Sequence, residues 1–223
     1  MKIMTPANLP ATERVTLLKV EPSEGYWQFL IPSEKRDIRL STTLSPADTQ
    51  EAHAKYVSPS GFRIASYKGH FQVFSALYEL RNKGAEVELA RQFVRDTMRT
   101  QFPSTSTRLQ YNPEGQKDAI IHNYGTDSPE EILVDFVGSD MPIDKMPLEV
   151  CLALTGKTPQ EAGEIMSYIN DRTPVYLWRV NSKPAQRDER VARFVAFSDR
   201  AYLDCNWGTD DRYPAFRVSR KKN

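Results

Sequence analysis

The chain has 223 residues, 39% hydrophobic and 26% charged, which is ordinary for a soluble globular protein with a substantial core. No segment approaches the roughly 18 apolar residues of a membrane span, and the N-terminus lacks the apolar stretch of a secretory signal. The two cysteines, Cys151 and Cys205, lie in apolar surroundings and indicate buried free thiols rather than a disulfide. These features predict a cytoplasmic protein without membrane contact.

The net charge is only +1, but it is unevenly distributed along the chain. Residues 113–171 hold twelve acidic and three basic side chains, a balance of −9, whereas residues 172–223 hold six acidic and twelve basic ones, a balance of +6. The asymmetry favours either a basic binding surface in the C-terminal third or mutual neutralisation of the two segments in the fold.

The first half of the chain predicts strands followed by helices. Strand composition is found at 14–20, 26–31, 36–40 and 62–66. Ser45-Pro46 predicts a helix start, with the helix over 46–56. The apolar spacing of residues 69–102 then predicts a helix pair, with Phe71, Phe74 and Leu77 on the apolar face of its first helix and Gly84 as the C-cap of that helix. The line of arginines on its second helix, Arg91, Arg95 and Arg99, is typical of a solvated face; the alternatives are pairing with Glu88 and Asp96 on the same helix and phosphate tracking.

The middle of the chain returns to strands, predicted at 107–111, 118–124 and 132–138. "SPEE" at 128–131 has the form of a helix start, but the β-branched run after it favours a single turn leading into a buried strand. "TPQE" at 158–161 carries the same signature and predicts a helix over 159–170.

The C-terminal third consists of four segments with strong strand composition: "PVYLWRV", "RVARFVAF", "RAYLDCN" and "AFRVSR". Ser198-Asp199 predicts a hairpin turn, and an antiparallel meander is the simplest arrangement of the four. The sequence therefore predicts an α+β fold in which the helix pair packs on mixed strands beside a C-terminal β-meander. The proline-containing segment 139–147 is the best boundary if residues 1–140 and 141–223 are separate units; a single domain over 1–223 is the alternative.

Familiar cofactor and metal motifs are incomplete. Gly156-Lys157-Thr158 ends like a phosphate-binding loop, but Cys151 stands where the first glycine of that loop is required. The oxygen-rich segment 204–211 resembles a calcium loop, but Ala215 takes the place of the bidentate glutamate. The histidines and cysteines lack the spacing of zinc ligands. We therefore predict no cofactor and no metal ion.

His122 is the best candidate for catalysis, because it lies at the polar end of an apolar strand and an imidazole titrates near neutrality. In a hydrolytic enzyme, a carboxylate from the acidic middle would assist it or hold a metal: Asp118, Asp135 or Asp140. Asp118 shares its strand face, but four residues place it roughly 13 Å away. The competing interpretation is a hydrogen-bonded structural histidine.

The basic, aromatic C-terminal sheet is the best candidate for binding. Aromatic rings surrounded by arginine and lysine form the surface on which single-stranded nucleic acid stacks. The predicted phosphate contacts are Arg179, Arg193, Arg217, Arg220 and Lys221, and the predicted stacking residues are Trp178 and Trp207. The competing interpretation is that these aromatics pack in the core. The sequence thus favours a binding module for an anionic ligand such as nucleic acid, with the His122-centred hydrolase as the alternative.

Overall fold

The chain combines helices with two separate sheets. The computed structural model describes residues 15–21, 25–31, 36–135, 140–178 and 183–222. Within these ranges it forms five α-helices and twelve β-strands, which confirms the predicted α+β class. The division into 1–140 and 141–223 stays a prediction, although strands from both portions pair in one sheet.

The first sheet has five strands and is antiparallel throughout. In spatial order its strands are β1 (Thr16–Glu21), β2 (Tyr26–Ile31), β3 (Arg36–Ser41), β12 (Arg217–Lys222) and β4 (Arg63–Ile64). Its core face is apolar, because Phe29 is paired with Ile38 and Leu40 with Val218. The last strand of the chain is therefore inserted between two of the earliest.

The second sheet has seven strands and is mixed. In spatial order its strands are β7 (Glu130–Val134), β6 (Asp118–His122), β5 (Ser104–Tyr111), β10 (Asp188–Ala196), β11 (Ala201–Trp207), β9 (Val175–Trp178) and β8 (Met141–Pro142). All pairs are antiparallel except β9–β11, which is parallel.

The C-terminal strands differ from the predicted meander. The hairpin at Ser198-Asp199 is present, since Phe197 N–H donates to the Arg200 carbonyl at 2.7 Å between β10 and β11. However, the other edge of β10 is occupied by β5, so β9 takes the far edge of β11 and lies parallel to it. The fourth segment leaves for the five-stranded sheet. Pairing neighbours in sequence could not anticipate either of these long-range choices.

The helices are α1 (Gln50–Lys55), α2 (Tyr67–Glu79), α3 (Ala85–Thr100), α4 (Leu148–Thr155) and α5 (Pro159–Ile169). The predicted helix pair is α2–α3, and Gly84, with φ 130°, precedes α3 rather than capping α2. The Thr158 capping box of α5 is present as predicted. α1 begins later than Pro46, because Thr49 caps it while the Ser45 hydroxyl accepts from Ala215 N–H at 2.9 Å.

α2 lies at the centre of the molecule, against β2, β3 and β5 on one side and α4 and α5 on the other. Phe71, Phe74 and Leu77 are fully buried, as predicted, and so are residues around most of its circumference. A helix buried on all sides is a core element rather than a surface one. It is the element that joins the two sheets through apolar contacts.

β7 differs from the buried strand that was predicted after "SPEE". It is an edge strand, and Leu133 keeps 56% of its surface exposed. No helical turn forms at 128–131; the turn lies just before, where Thr126 N–H donates to the Asn123 carbonyl.

The arginine line of α3 does not face solvent alone. The guanidinium groups of Arg91, Arg95 and Arg99 reach Asp171 at 2.7, 2.8 and 3.5 Å, just beyond the end of α5. Together with the pair Lys183–Asp118, at 2.7 Å, these contacts neutralise two carboxylates of the acidic segment 113–171. Cations from both of the other segments supply the positive charge.

Candidate functional site

The outer face of the C-terminal strands carries a cleft of about 560 Å³. Alternation along β11 buries Ala201, Leu203 and Cys205 in the core and turns Tyr202 and Asp204 to the other face. Three predicted binding residues also lie on this face: Trp178 at the end of β9, Arg193 in β10 and Trp207 at the end of β11. We call this region, with Phe197 and Tyr202, the aromatic cleft.

The rings of the aromatic cleft contact one another without being buried. Trp178 meets Tyr202 edge-on with ring centroids 5.3 Å apart, and Phe197 meets the same tyrosine at 6.1 Å. Trp178 and Phe197 nevertheless remain 44% and 48% exposed. Core packing, the competing interpretation, therefore does not describe Trp178.

Arg193 forms the floor of the aromatic cleft and is almost fully buried. Its guanidinium carbon lies 3.0 Å from the centroid of the Trp207 ring and 4.4 Å from that of Tyr213. Its Nε donates to Asp204 at 3.4 Å, and the Trp207 indole N–H donates to the same carboxylate. Burial lowers the pKa of Arg193 and raises the pKa of Asp204, while their mutual attraction opposes both shifts. The group is a buried ion pair stacked on an aromatic ring.

A β-bulge at Ala192 sets the direction of Arg193. The register of β10 shifts between Val191 and Arg193 against both neighbouring strands. Two buried hydroxyls satisfy the carbonyls that the bulge frees: Thr105 Oγ1 donates to Ala192 O at 2.7 Å, and Tyr67 Oη donates to Arg193 O. Bulges re-aim side chains in this way near functional sites. Nothing in the sequence pattern of β10 indicated it.

The other predicted phosphate contacts are not in the aromatic cleft. Arg217 lies in β12 and donates to Thr43 O at 3.1 Å and to Tyr56 Oη at 2.9 Å, which ties that strand to the loop before α1 and to the residue that ends α1. Arg220 also lies in β12, at a smaller cavity beside α1. Arg179 and the side chain of Lys221 lie outside the described residues. The predicted binding residues that the structure describes are thus divided between two sheets.

His122 is buried in β6, and both of its ring nitrogens are engaged. Nε2 donates to the Ala153 carbonyl at 2.7 Å, so Nδ1 is the acceptor for the Thr107 hydroxyl at 2.8 Å. Burial lowers the pKa of this imidazole, which therefore stays neutral at pH 7. Neither nitrogen is left to meet a substrate in this arrangement.

The carboxylates predicted to assist His122 have other partners. Asp118 accepts from Asn112 N–H at 3.0 Å and from Lys183 at 2.7 Å. Asp135 is exposed and pairs with Lys117 at 2.9 Å, a hydrogen bond that lowers its pKa. Among the described residues, the hydrogen-bond partners of His122 are Thr107 and Ala153, and not Asp118, Asp135 or Asp140.

The cysteines and other titratable side chains offer no alternative centre. Cys151 and Cys205 are buried and free, and burial raises the pKa of the Cys151 thiol to about 11, which makes it a poor nucleophile. In the described parts of the chain, no three His, Cys, Asp or Glu side chains converge as metal ligands would. The same parts contain no helix with the length and apolarity to cross a bilayer.

Sequence reasoning missed three residues that line the aromatic cleft, Phe197, Tyr202 and Asp204, and also Tyr213, which packs against Arg193 and Trp207. The alternation in "AYLDCNW" could have placed Tyr202 and Asp204 on one face, because the intervening residues are small or apolar.

Comparison with protein families, with curated proteins and with solved structures finds no match for this chain.

Proposed function

We propose that the chain is a binding module for single-stranded nucleic acid and that unpaired bases stack in the aromatic cleft. The observation that carries this proposal is the exposure of Trp178 and Phe197, 44% and 48%, on the sheet face that points away from the core. Aromatic area left in solvent, rimmed by polar groups, is typical of an interaction surface. The two rings are held apart by Tyr202 and so offer separate stacking positions.

Stacking of a base on an aromatic side chain contributes about 1–3 kcal/mol, irrespective of the base. Two or three such contacts would give binding with little sequence preference. A duplex does not present its base faces, so the ligand has to be single-stranded. The buried pair Arg193–Asp204 and the indole of Trp207 make the floor of the cleft rigid, which reduces the entropy lost on binding.

Charge should contribute less to nucleic-acid binding in the aromatic cleft than the sequence suggested. The described residues lining the aromatic cleft include two arginines and two aspartates: Arg193, Arg200, Asp204 and Asp211. These described residues therefore carry no net charge at neutral pH. Arg200 is further neutralised by Asp199 at 2.6 Å. We accordingly expect the affinity to fall only gently with salt. The slope of log affinity against log salt concentration should be smaller than the slope for about one neutralised phosphate.

The test is fluorescence anisotropy of labelled oligothymidylate and oligouridylate, roughly 12 nucleotides long to cover the usual site sizes, titrated with the protein across a salt series. We expect binding at low salt, and a loss of about 5- to 100-fold in affinity for Trp178→Ala, which corresponds to one lost stacking contact. Phe197→Ala should act in the same direction.

The matched control is Leu89→Ala, which removes a side chain that is 51% exposed on α3, away from the cleft. It should bind like the unmodified protein. No binding at low salt, or equal affinities for Trp178→Ala and Leu89→Ala, would overturn the proposal. A steep salt dependence that persists in Trp178→Ala would also count against it, because the ligand would then be held by a basic surface elsewhere.

A further inference from the structure

A second cavity, of about 300 Å³, lies beside α1, where β4 and β12 of the five-stranded sheet approach β5 of the seven-stranded sheet. Its polar lining includes Arg63 from β4, Arg220 from β12 and Ser106 from β5, the loop after β6 contributes Asn123, Thr126 and Ser128, and α1 and the residue after it contribute His53 and Tyr56. We call it the α1 cavity. The bend in the chain after His122 is therefore the rim of a cavity, though His122 itself points elsewhere.

The floor of the α1 cavity holds a buried hydroxyl without a protein partner. Ser106 is 2% exposed, and its Oγ makes no hydrogen bond to any described residue. Its neighbours on the strand differ, because Thr105 and Thr107 point to the opposite face and their hydroxyls are both bonded. Buried polar groups normally find partners, and leaving one without a partner costs stability. The Ser106 hydroxyl can therefore donate a hydrogen bond to an acceptor atom of a ligand that enters the cavity.

The charged side chains among the described residues that line the α1 cavity are of one sign. Arg63 and Arg220 line it, and no Asp or Glu is among the described residues that do so. The aromatic cleft, in contrast, balances its arginines with aspartates. Arg220 is held close to the first turn of α2, since a Cβ on Gly69 would lie 2.7 Å from its Nη2. Two guanidinium groups on one small cavity favour an anion.

The loop on the opposite wall has a defined shape. Asn123 adopts a left-handed conformation, φ 54°, and its carbonyl accepts from Thr126 Oγ1 at 2.8 Å. Gly125, with φ 74°, packs so closely on α1 that a Cβ there would lie 2.6 Å from that of Ala54. The Thr126 hydroxyl in turn accepts from Ser128 N–H at 3.3 Å. The polar groups of this wall are thus positioned before any ligand arrives.

From the unpartnered hydroxyl of Ser106, the two arginines and the size of the cavity, we propose that the α1 cavity binds a phosphate group, free or as a monoester. A phosphate dianion has enough acceptor oxygens to take hydrogen bonds from both arginines and from Ser106 at once. A volume of about 300 Å³ suits a small ligand rather than a duplex or a peptide strand. The inference does not rest on the proposed function, because it concerns a different surface and different residues.

The experiment is isothermal titration calorimetry of the full chain with inorganic phosphate, at an ionic strength held constant with sodium chloride. Saturable binding at a single site is expected, with a dissociation constant of about 1 mM or lower. A second arm compares glycerol 3-phosphate with glycerol. This probe has no aromatic ring and cannot report on the aromatic cleft. Tighter binding of the ester than of the free ion would assign the site to phosphomonoesters, and the reverse would assign it to the free ion.

Arg220→Gln is expected to weaken phosphate binding about tenfold or more, as loss of a charged hydrogen bond does. The matched control is Arg172→Gln, which removes one exposed charge near the end of α5 and should leave binding unchanged. Ser106→Ala should also weaken binding while leaving the urea midpoint equal or higher, because the hydroxyl it removes has no partner to lose. That combination separates a ligand-binding serine from a structural one.

The proposal is overturned if neither phosphate nor glycerol 3-phosphate binds saturably. It is equally overturned if Arg220→Gln and Arg172→Gln lower the affinity alike, since the effect would then come from net charge. A Ser106→Ala variant that binds normally would remove the observation on which the site depends.

Discussion

Arg193 lies face-on against Trp207, with its guanidinium carbon 3.0 Å from the centroid of the indole ring. The sequence assigned both residues to ligand binding, one to phosphate and one to a base. In the structure they bind each other, and Asp204 accepts hydrogen bonds from both. Arg193 thus positions the floor of the aromatic cleft, and the solvent-facing rings are left to contact the ligand.

The first prediction concerns the buried ion pair. Arg193→Ala removes a side chain that is 4% exposed and leaves Asp204, 10% exposed, as a buried carboxylate without its cation. We expect a loss of about 3–5 kcal/mol in the free energy of unfolding, the usual cost of breaking a buried pair from one side. Urea denaturation measures it.

A double-mutant cycle provides the control for this prediction. Asp204→Asn removes the charge that Arg193→Ala leaves unpaired, so the double variant should lose less stability than the two single losses added together. Simple additivity would show that the two charges do not interact, and the account of the cleft floor would then be wrong.

The sequence predicted the elements of the fold better than their pairing. Apolar period and caps located α2, α3 and α5 within a few residues, because those signals depend on neighbours in the chain. The parallel pairing of β9 with β11 and the transfer of β12 to the other sheet depend on which edges are already occupied. No local pattern carries that information.

The same distinction applies to the candidate site. Trp178 was predicted because an aromatic residue with basic neighbours in a strand is visible in the local sequence. Ser106 was not, because what sets it apart is the lack of a partner in three dimensions. α4 was also missed: "LEVCLAL" is apolar enough to be core but carries no helical period, and it begins at a proline without a side-chain cap.

The second prediction concerns the clamp between α3 and the end of α5. Asp171 accepts from Arg91 at 2.7 Å and from Arg95 at 2.8 Å, and these hydrogen bonds lower its pKa although partial burial opposes them. Asp171→Asn keeps a residue that tolerates the left-handed φ of 57° and removes only the charge. Because the carboxylate is 39% exposed, we expect a modest loss of about 1 kcal/mol in unfolding free energy.

Salt dependence tests the origin of that loss. The difference between Asp171→Asn and the unmodified protein should shrink in about 1 M sodium chloride, where surface charges are screened. Asp127→Asn, at an exposed position in the loop after β6, is the control and should change stability little. A difference that salt leaves intact would point to lost packing instead of lost charge.

The third prediction concerns the loop at the α1 cavity. Gly125→Ala adds a Cβ 2.6 Å from that of Ala54, at a φ of 74° that L residues rarely adopt. Gly115→Ala is the matched control, because Gly115 has a φ of 80° and open space around it. Both variants should lose about 1–2 kcal/mol from the left-handed backbone. Gly125→Ala should lose about 1–3 kcal/mol more from the clash, as measured by urea denaturation.

The partner of the clash can be changed separately. Ala54→Gly in the Gly125→Ala background should recover part of the extra loss, less the cost of about 1 kcal/mol for a glycine in α1. If Gly125→Ala and Gly115→Ala prove equally stable, the loop yields to the added methyl group and its shape is not fixed by α1.

The fourth prediction concerns acid stability and depends on His70. This residue is fully buried in α2 among Phe74, Phe194 and Phe216, and its Nδ1 donates to the Ser66 carbonyl at 2.8 Å. Burial lowers its pKa to about 4, and the positive charge of Arg220 adds to the shift, while hydrogen bonding opposes it. The folded protein therefore holds the neutral imidazole well into the acid range.

The direction of the pH effect follows from proton binding. The unfolded chain protonates His70 near pH 6.5 and the folded chain only near pH 4, so the unfolded state binds the additional proton between these values. The contribution of His70 to the free energy of unfolding should be constant above about pH 6.5. It should fall by about 3 kcal/mol as the pH drops to about 4 and should not change further below that pH. His122, whose pKa burial also lowers, contributes in the same direction.

Unfolding free energies measured in urea from neutral pH to pH 4 test this prediction. His70→Asn retains an amide donor in place of Nδ1 and cannot titrate, so its stability should fall less steeply over the same range, whatever its stability at neutral pH. Carboxylates with lowered pKa values, such as Glu88 and Asp171, protonate in the unfolded chain only near pH 4 and leave the upper part of this range to the histidines. A parallel decline in His70→Asn and the unmodified protein would mean that the buried imidazole is hydrated or already protonated in the fold.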